Sequence, residues 1–326
     1  MRPAWVISLM LLTASCAPVP QVATPLGPAE RSWNRALHAA RQAGWPYARI
    51  GAMRVMVEQA QPDTAPRFLC DILYDLADNR VAVEEALGVL GASAEALKAG
   101  TPGDPLAAAM QLGARAGYPA DVLVQAARVL AEAPARQADP KDLVRVLDRA
   151  AVFKTPGWTA LQFLKDIVAS ADTVPAQAQV DLFEEALGRK GRHLEAQAVL
   201  KAYREAVADG LPPGDLCSAC RRKLRTGLAP SALPAWLAEV SRWPVPPLSR
   251  PDALRLIGTA LAHGLPDDEV ASLGGFIARS TMDARDATLL AGQLEAGIRR
   301  GLKGRALLTQ VLEGFSGARP SEPLPR

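Results

Sequence analysis

From residue 31 to residue 316 the apolar positions of the chain follow the helical period of 3.6, and no stretch shows the alternation of a strand. Val270, Leu273 and Ile277 stand at i, i+3 and i+7. Leu308, Val311, Leu312 and Phe315 repeat that spacing. A stripe of this kind gives a helix one apolar side for a core and one polar side for water. The pattern predicts an all-α body.

A recurring phrase cuts this body into elements. Gly44-Trp45-Pro46, Gly117-Tyr118-Pro119, Gly210-Leu211-Pro212 and Gly264-Leu265-Pro266 each follow an Ala-rich helical stretch. Gly227-Leu228 and Gly301-Leu302 share the context without the immediate proline. A glycine just past a helix takes the left-handed conformation that satisfies orphan carbonyls, and proline opens the next helix without forfeiting a needed N–H. Aligned at Gly44, Asn79, Gly117, Lys154, Gly191, Gly227, Gly264 and Gly301, the joints are 35, 38, 37, 37, 36, 37 and 37 residues apart. Asn79 is expected to replace glycine in the left-handed position, Lys154 is expected to be uncomfortable there, and Gly210 is expected to end the second helix of its own unit.

These joints predict about eight two-helix repeats of ~37 residues between residues 31 and 316. One hairpin cannot bury its apolar side alone, so neighbours stack into an α-solenoid or superhelix. At 8–10 Å between packed helices the stack is on the order of 75 Å long. An open array is the expected shape, and a closed ring is the alternative. The period lies between the tetratricopeptide and HEAT classes. Gly191 with Ala196 and Leu200 loosely resembles the second helix of a tetratricopeptide repeat, and the other units resemble either class in architecture only.

Local punctuation supports the same reading. Asp104-Pro105 and Asp139-Pro140 read as a cap followed by proline at the first helical position, and Ser249-Arg250-Pro251-Asp252 resembles a capping box. Trp243-Pro244-Val245-Pro246-Pro247 reads as a non-helical insertion in the seventh unit. Pro234 fits only the first turn of its helix. Residues 317–326 read as a flexible tail.

Composition narrows the partners. Aromatics are 5% of the chain and hydrophobic residues 49%, so Ala, Leu and Val supply a core suited to close helix packing. Thirty-seven basic residues face 34 acidic ones. Without a concentrated basic face, nucleic acid is not an expected partner.

The first fifteen residues hold Arg2, an apolar run from Ala4 to Leu12 and the small residues Thr13-Ala14-Ser15, which is the grammar of a secretory signal. The run is too short for a permanent span. Leu12-Thr13-Ala14-Ser15-Cys16 resembles the lipobox of bacterial lipoproteins, with Thr13 where leucine is usual. That resemblance implies cleavage before Cys16, lipidation of Cys16, and attachment to the membrane by acyl chains. Ala17 in place of the inner-membrane retention aspartate implies the outer membrane, facing the periplasm. Residues 16–30, rich in proline, read as a tether reaching roughly 40 Å from the bilayer.

Candidate chemistry is sparse. Cys217-Ser218-Ala219-Cys220 follows Pro212-Pro213-Gly214-Asp215, which predicts Cys217 in the first turn of a helix, where the dipole favours thiolate. Arg221, Arg222, Lys223 and Arg225 push the same way. Cys217 and Cys220 are thus a possible disulfide or redox pair. Flanking helices do not fit the strand that precedes a thioredoxin-type motif, and one CxxC is a poor zinc site. Cys70 reads as a core thiol. His38, His193 and His263 pair with nothing at metal-ligand spacing, Trp45 and Tyr118 read as packing between units, and Glu184-Glu185 and Asp267-Asp268-Glu269 read as exposed or first-turn charges. No cofactor and no catalytic residue is expected. The function expected is a protein-interaction scaffold in the cell envelope, binding an envelope protein or extended peptide. A thiol-redox or other envelope enzyme using Cys217 and Cys220, or a lipid or glycan carrier with a closed helical cavity, is the alternative.

Overall fold

A computed structural model describes residues 28–60, 65–189, 192–241, 250–279 and 284–318. The described residues are helical with no strand. The helices are α1 (Pro28–Gln42), α2 (Tyr47–Glu58), α3 (Ala65–Asp78), α4 (Val83–Lys98), α5 (Gly103–Arg115), α6 (Ala120–Glu132), α7 (Pro140–Val152) and α8 (Gly157–Ser170), then α9 (Ala176–Gly188), α10 (His193–Ala208), α11 (Pro213–Arg225), α12 (Leu233–Ser241), α13 (Arg250–Ala262), α14 (Asp267–Arg279), α15 (Ala284–Arg299) and α16 (Gly304–Ala318). They pair into eight hairpins, and the seven described turns fall at joints of the sequence; the eighth joint, Gly191, lies outside the described residues. A short 3-10 turn, Ala133–Arg136, extends α6.

Each odd-numbered helix packs on the odd-numbered helices of adjacent hairpins, and the even-numbered helices form a second layer alongside. Every extensive helix–helix contact among the described residues lies within a hairpin or between adjacent ones. Among the described residues the interior is therefore shared between neighbouring hairpins. Leu69, Ile72, Leu73 and Leu76 of α3, Leu106 and Met110 of α5, and Phe163 and Phe183 of α8 and α9 belong to one continuous core. The Phe163 and Phe183 rings meet at 4.6 Å between centroids.

The joints are built alike. After α1 the N–H of Trp45 donates to the carbonyl of Ala40 and that of Gly44 to Arg41, both at 3.0 Å. This paired closure ends a helix whose next residue is left-handed. It recurs at Arg80 and Val81, Gly117 and Tyr118, Lys154 and Thr155, Gly227 and Leu228, Gly264 and Leu265, and Gly301 and Leu302. The left-handed residues step by 36, 37, 37, 73, 37 and 37, the long step spanning two units because Gly191 lies outside the described residues.

Several expectations change in detail. Arg80 (φ 56°), not Asn79, takes the left-handed position, and the Asn79 side chain turns back to the Asp75 carbonyl at 2.7 Å. Lys154 does adopt it, at φ 52°. Pro46, Pro119 and Pro156 are themselves the caps of α2, α6 and α8, one place ahead of the first helical residue. Each proline stands two places past the left-handed residue in an extended conformation, φ −62° and ψ 137° at Pro46, which its fixed φ suits. Asp139 caps α7 as expected, accepting from the Lys141 N–H at 2.9 Å. Asp104-Pro105 does not cap α5, which starts at Gly103 behind Pro102.

Gly210 ends α10 with φ 101°. Pro234 is the second residue of α12. Helix α1 already begins at Pro28, so the last residues of the expected tether are helical, and α16 runs on to Ala318. The Trp243–Pro247 stretch and Ser249 lie outside the described residues, between α12 and α13, and thus between the sixth and seventh hairpins and not within one. The leader, Cys16 and residues 319–326 also lie outside them.

Candidate functional site

Polar bonds between neighbouring hairpins repeat with the fold. Arg35 reaches Asp71 at 3.4 Å, Gln111 reaches Asp75 at 3.1 Å, Arg136 reaches Asp172 at 2.9 Å and Arg145 reaches Asp181 at 2.9 Å, each pair 36 residues apart. The Trp45 indole N–H donates to the Val81 carbonyl across the same interval. The densest cluster joins α7, α9 and α11. Arg145 also bonds Glu184 at 2.7 Å, Arg221 bonds Asp181 at 3.1 Å and Arg225 bonds Glu185 at 2.8 Å. Glu184 and Glu185 are therefore half-buried partners between repeats, not free surface charges.

This network bears directly on the cysteines. Cys217 is the fifth residue of α11, one turn deeper than the sequence pattern implies. Cys217 and Cys220 point to the same buried side, unbridged, and the Cys217 thiol donates to the Ala178 carbonyl of α9 at 3.3 Å. Burial pushes Cys217 up to about 11, with Arg221 opposing and Asp181 reinforcing the shift. Burial raises Cys220 further above its ordinary value. The basic residues behind the motif are engaged elsewhere: Arg221 and Arg225 with acids of α9, Arg222 with the His263 carbonyl, and Lys223 with Asp267 at 2.7 Å. Reactive thiols are exposed and electropositive; these are neither. Cys70, on α3 and several hairpins away, is free, buried and pushed up to about 12 by burial.

The histidines and joint aromatics have local duties. His38 shares a hydrogen bond with Gln42, and the carbonyl of His263 accepts from Arg222. Trp45 and Tyr118 are buried between units, and a methyl on Gly157 would press on the Tyr118 ring. Among the described residues no group of three His, Cys, Asp or Glu side chains could hold a metal. Nor is any described helix long and apolar enough to cross a membrane. An open cleft of about 290 Å³ between α1, α2 and α3 is lined by Trp33, Val57 and Pro66, with the Arg54–Glu58 ion pair at its rim. Cys70 and Glu30 also line it, and the cleft between α2 and α4, about 460 Å³, is lined by Met56, Gln59, Glu95 and Lys98.

What the repeat does not explain is one apolar patch. Val152 (61% exposed), Phe153 (41%) and Trp158 (53%) stand exposed about the joint of the fourth hairpin, and Leu194 (65%) stands at the start of α10 in the fifth, 36 residues beyond Trp158. Val152 ends α7 at a position held by Gln42, Asp78, Arg115, Arg225 and Arg299 in other units. Trp158 and Leu194 are the second residues of α8 and α10, where α4, α6, α14 and α16 carry Glu84, Asp121, Asp268 and Arg305. Ala262, Ala48 and Pro234 fill the same places in α13, α2 and α12, so only the fourth and fifth hairpins put large apolar side chains there. Lys154 and Arg192, both exposed, stand close by in the chain, and exposed Arg189 pairs with Glu185 at 3.4 Å. Beneath it the Tyr118 hydroxyl and the Thr155 hydroxyl are buried without a partner among the described residues. The signal was present in the sequence, but only after the joints were aligned and equivalent positions compared. Comparison with family models, with curated proteins and with solved structures finds no match to this chain.

Proposed function

We propose that the protein is a lipid-anchored helical-repeat lipoprotein of the cell envelope that acts as an interaction scaffold, engaging an envelope protein or extended peptide through the joint edge of its fourth and fifth hairpins. The anchor reading rests on the lipobox resemblance around Cys16. The scaffold reading rests on one observation: Val152, Phe153, Trp158 and Leu194 stand exposed at positions where the other repeats place small, polar or charged residues or proline. Large apolar side chains at positions with no packing duty mark binding sites, and buried aromatics dominate interface energies. The basic rim favours a partner with an apolar anchor flanked by acidic residues.

A photo-crosslinking residue in place of Trp158, introduced in intact cells, tests this. It should capture one reproducible partner that a crosslinker at exposed Glu84 does not, and Leu194→Asp should abolish the adduct. Capture of nothing, or of the same mixture from both positions, overturns the proposal. With the partner in hand, Trp158→Ala should weaken binding by about 10- to 100-fold, the effect of losing a well-packed aromatic anchor.

The two alternatives find less support. Buried, unbridged thiols with raised pKa values do not suit a redox pair. A carrier of lipid or glycan needs an enclosed apolar volume, and the clefts described above are open.

A further inference from the structure

The first hairpin carries a second unexplained surface. Helix α2 buries Ile50, Met53 and Val57, yet its outer side shows Tyr47, Ala48, Gly51, Ala52 and Val55, at i, i+1, i+4, i+5 and i+8. All five are exposed, Tyr47 at 72% and Val55 at 49%. A terminal repeat ordinarily turns a polar face outward. At the other end α16 does so, with Arg305, Thr309 and Glu313. The stripe on α2 is bordered by Arg49 on one margin and Arg54 on the other, and the Arg41 guanidinium lies 5.2 Å from the centre of the Tyr47 ring. Arg49 pairs with Glu84 at 2.7 Å and Arg54 with Glu58 at 2.6 Å, the latter at the C-terminal end of the stripe. Arg35 pairs likewise with Asp71 at 3.4 Å, so of the five arginines in residues 30–58 it is Arg31 and Arg41 that have no carboxylate partner among the described residues.

We infer that this face of α2 lies on the surface of an anionic phospholipid bilayer, with Tyr47 and Val55 among the headgroups and the arginines at the phosphates. Exposed apolar side chains beside arginine suit the boundary of an anionic bilayer, whose acyl edge takes the first and whose phosphates take the second. A second copy fits less well, because a two-fold contact through this face would bring the positively charged first hairpins together. The inference rests on the lipid-anchored reading, which supplies the bilayer. Cys16 and Pro28 are twelve residues apart, so a fully extended chain holds the start of α1 within about 43 Å of the anchor.

The test separates the two readings by replacing the lipid. The mature chain, with a hexahistidine tag where Cys16 stood, is tethered to nickel-chelating vesicles of phosphatidylethanolamine and phosphatidylglycerol. An environment-sensitive fluorophore is attached through Val55→Cys, the native thiols being buried, and in a second sample through Thr309→Cys. At position 55 the emission should shift to the blue and be quenched by doxyl-labelled lipid, and at 309 it should do neither. Without the tag, Tyr47→Asp with Ala52→Asp should weaken partitioning onto the same vesicles by about fivefold or more at unchanged helical content. A probe at 55 that stays as wet as the one at 309 overturns the inference. So does a blue shift that appears without vesicles and grows with protein concentration, which would assign the face to a second copy. The anchor reading is tested apart, in cells, by whether Cys16→Ser moves the protein from the membrane fraction to the soluble one.

Discussion

At the scale of single residues, the joints show where backbone strain is held. Five of the seven described hairpin turns use glycine in the left-handed position, and Arg80 and Lys154 occupy the other two. A side chain in that conformation costs roughly 1–2 kcal/mol. Lys154→Gly should therefore raise stability by about 1 kcal/mol, and Gly117→Ala should lower it by a similar amount. Urea midpoints at constant slope measure both, and an opposite order would refute the assignment of Lys154. The thiols give a pH signature. Cys70 and Cys217 are raised on folding from an ordinary value near 9 to about 12 and about 11. Their neutral forms suit the core, so their contribution is complete below pH 9 and is lost as the pH rises through about 11. Stability should fall over that window. Iodoacetamide at pH 8 should leave the native protein unlabelled at these positions and label it in denaturant.

At the scale of elements, one repeat step also sets the polar contacts. Helices that stack at a fixed translation bring position i against a position near i+36, so an arginine on one odd-numbered helix finds an acid on the next. Asp181 of α9 is held from both sides, by Arg145 of α7 and Arg221 of α11. These pairs are about one-fifth to two-fifths exposed, so each is worth more than a surface pair and less than a buried one. Arg145→Ala removes the cation that Asp142, Asp181 and Glu184 share, leaving Asp181 to Arg221 alone, and should cost about 1–2 kcal/mol, part of it screened at high salt. A double-mutant cycle of Arg145 with Glu184 should return a favourable coupling, and a coupling of zero would show that the cluster is ornamental. Close approach has its own residue: a side chain on Gly103 of α5 would overlap the Phe68 ring of α3.

For the whole molecule, stability is a sum of hairpin terms and interfaces between nearest neighbours. Damage at one interface should therefore divide the unfolding transition instead of lowering it uniformly. Gly103→Leu, which wedges the second hairpin from the third, should release α1–α4 at lower denaturant than the rest. Hydrogen exchange should then show lost protection confined to residues 28–98. A single cooperative transition at a lower midpoint would argue for a globular core instead of an array. The same one-dimensional build keeps the two exposed apolar surfaces on separate hairpins. Its first hairpin exposes the α2 stripe, and the joint edge of its middle units carries the apolar patch.

Much of the architecture was legible without coordinates. Helical periodicity, the Gly-x-Pro phrase and its nearly constant spacing sufficed for eight hairpins, because helix ends are local: they depend on residues whose conformational freedom is unusual. Lys154 and Arg80 marked the limit of that reading, since stacking can hold a strained residue that local preference disfavours. The surroundings of Cys217 could not be read either. Its neighbours along the chain are basic, but Asp181 and Glu185 arrive from another repeat and take up Arg221 and Arg225, and burial decides the rest. The exposed patch stood between the two cases. Its residues were in plain view, yet only the stacking of one hairpin on the next determines which apolar side chains face a neighbour and which face water.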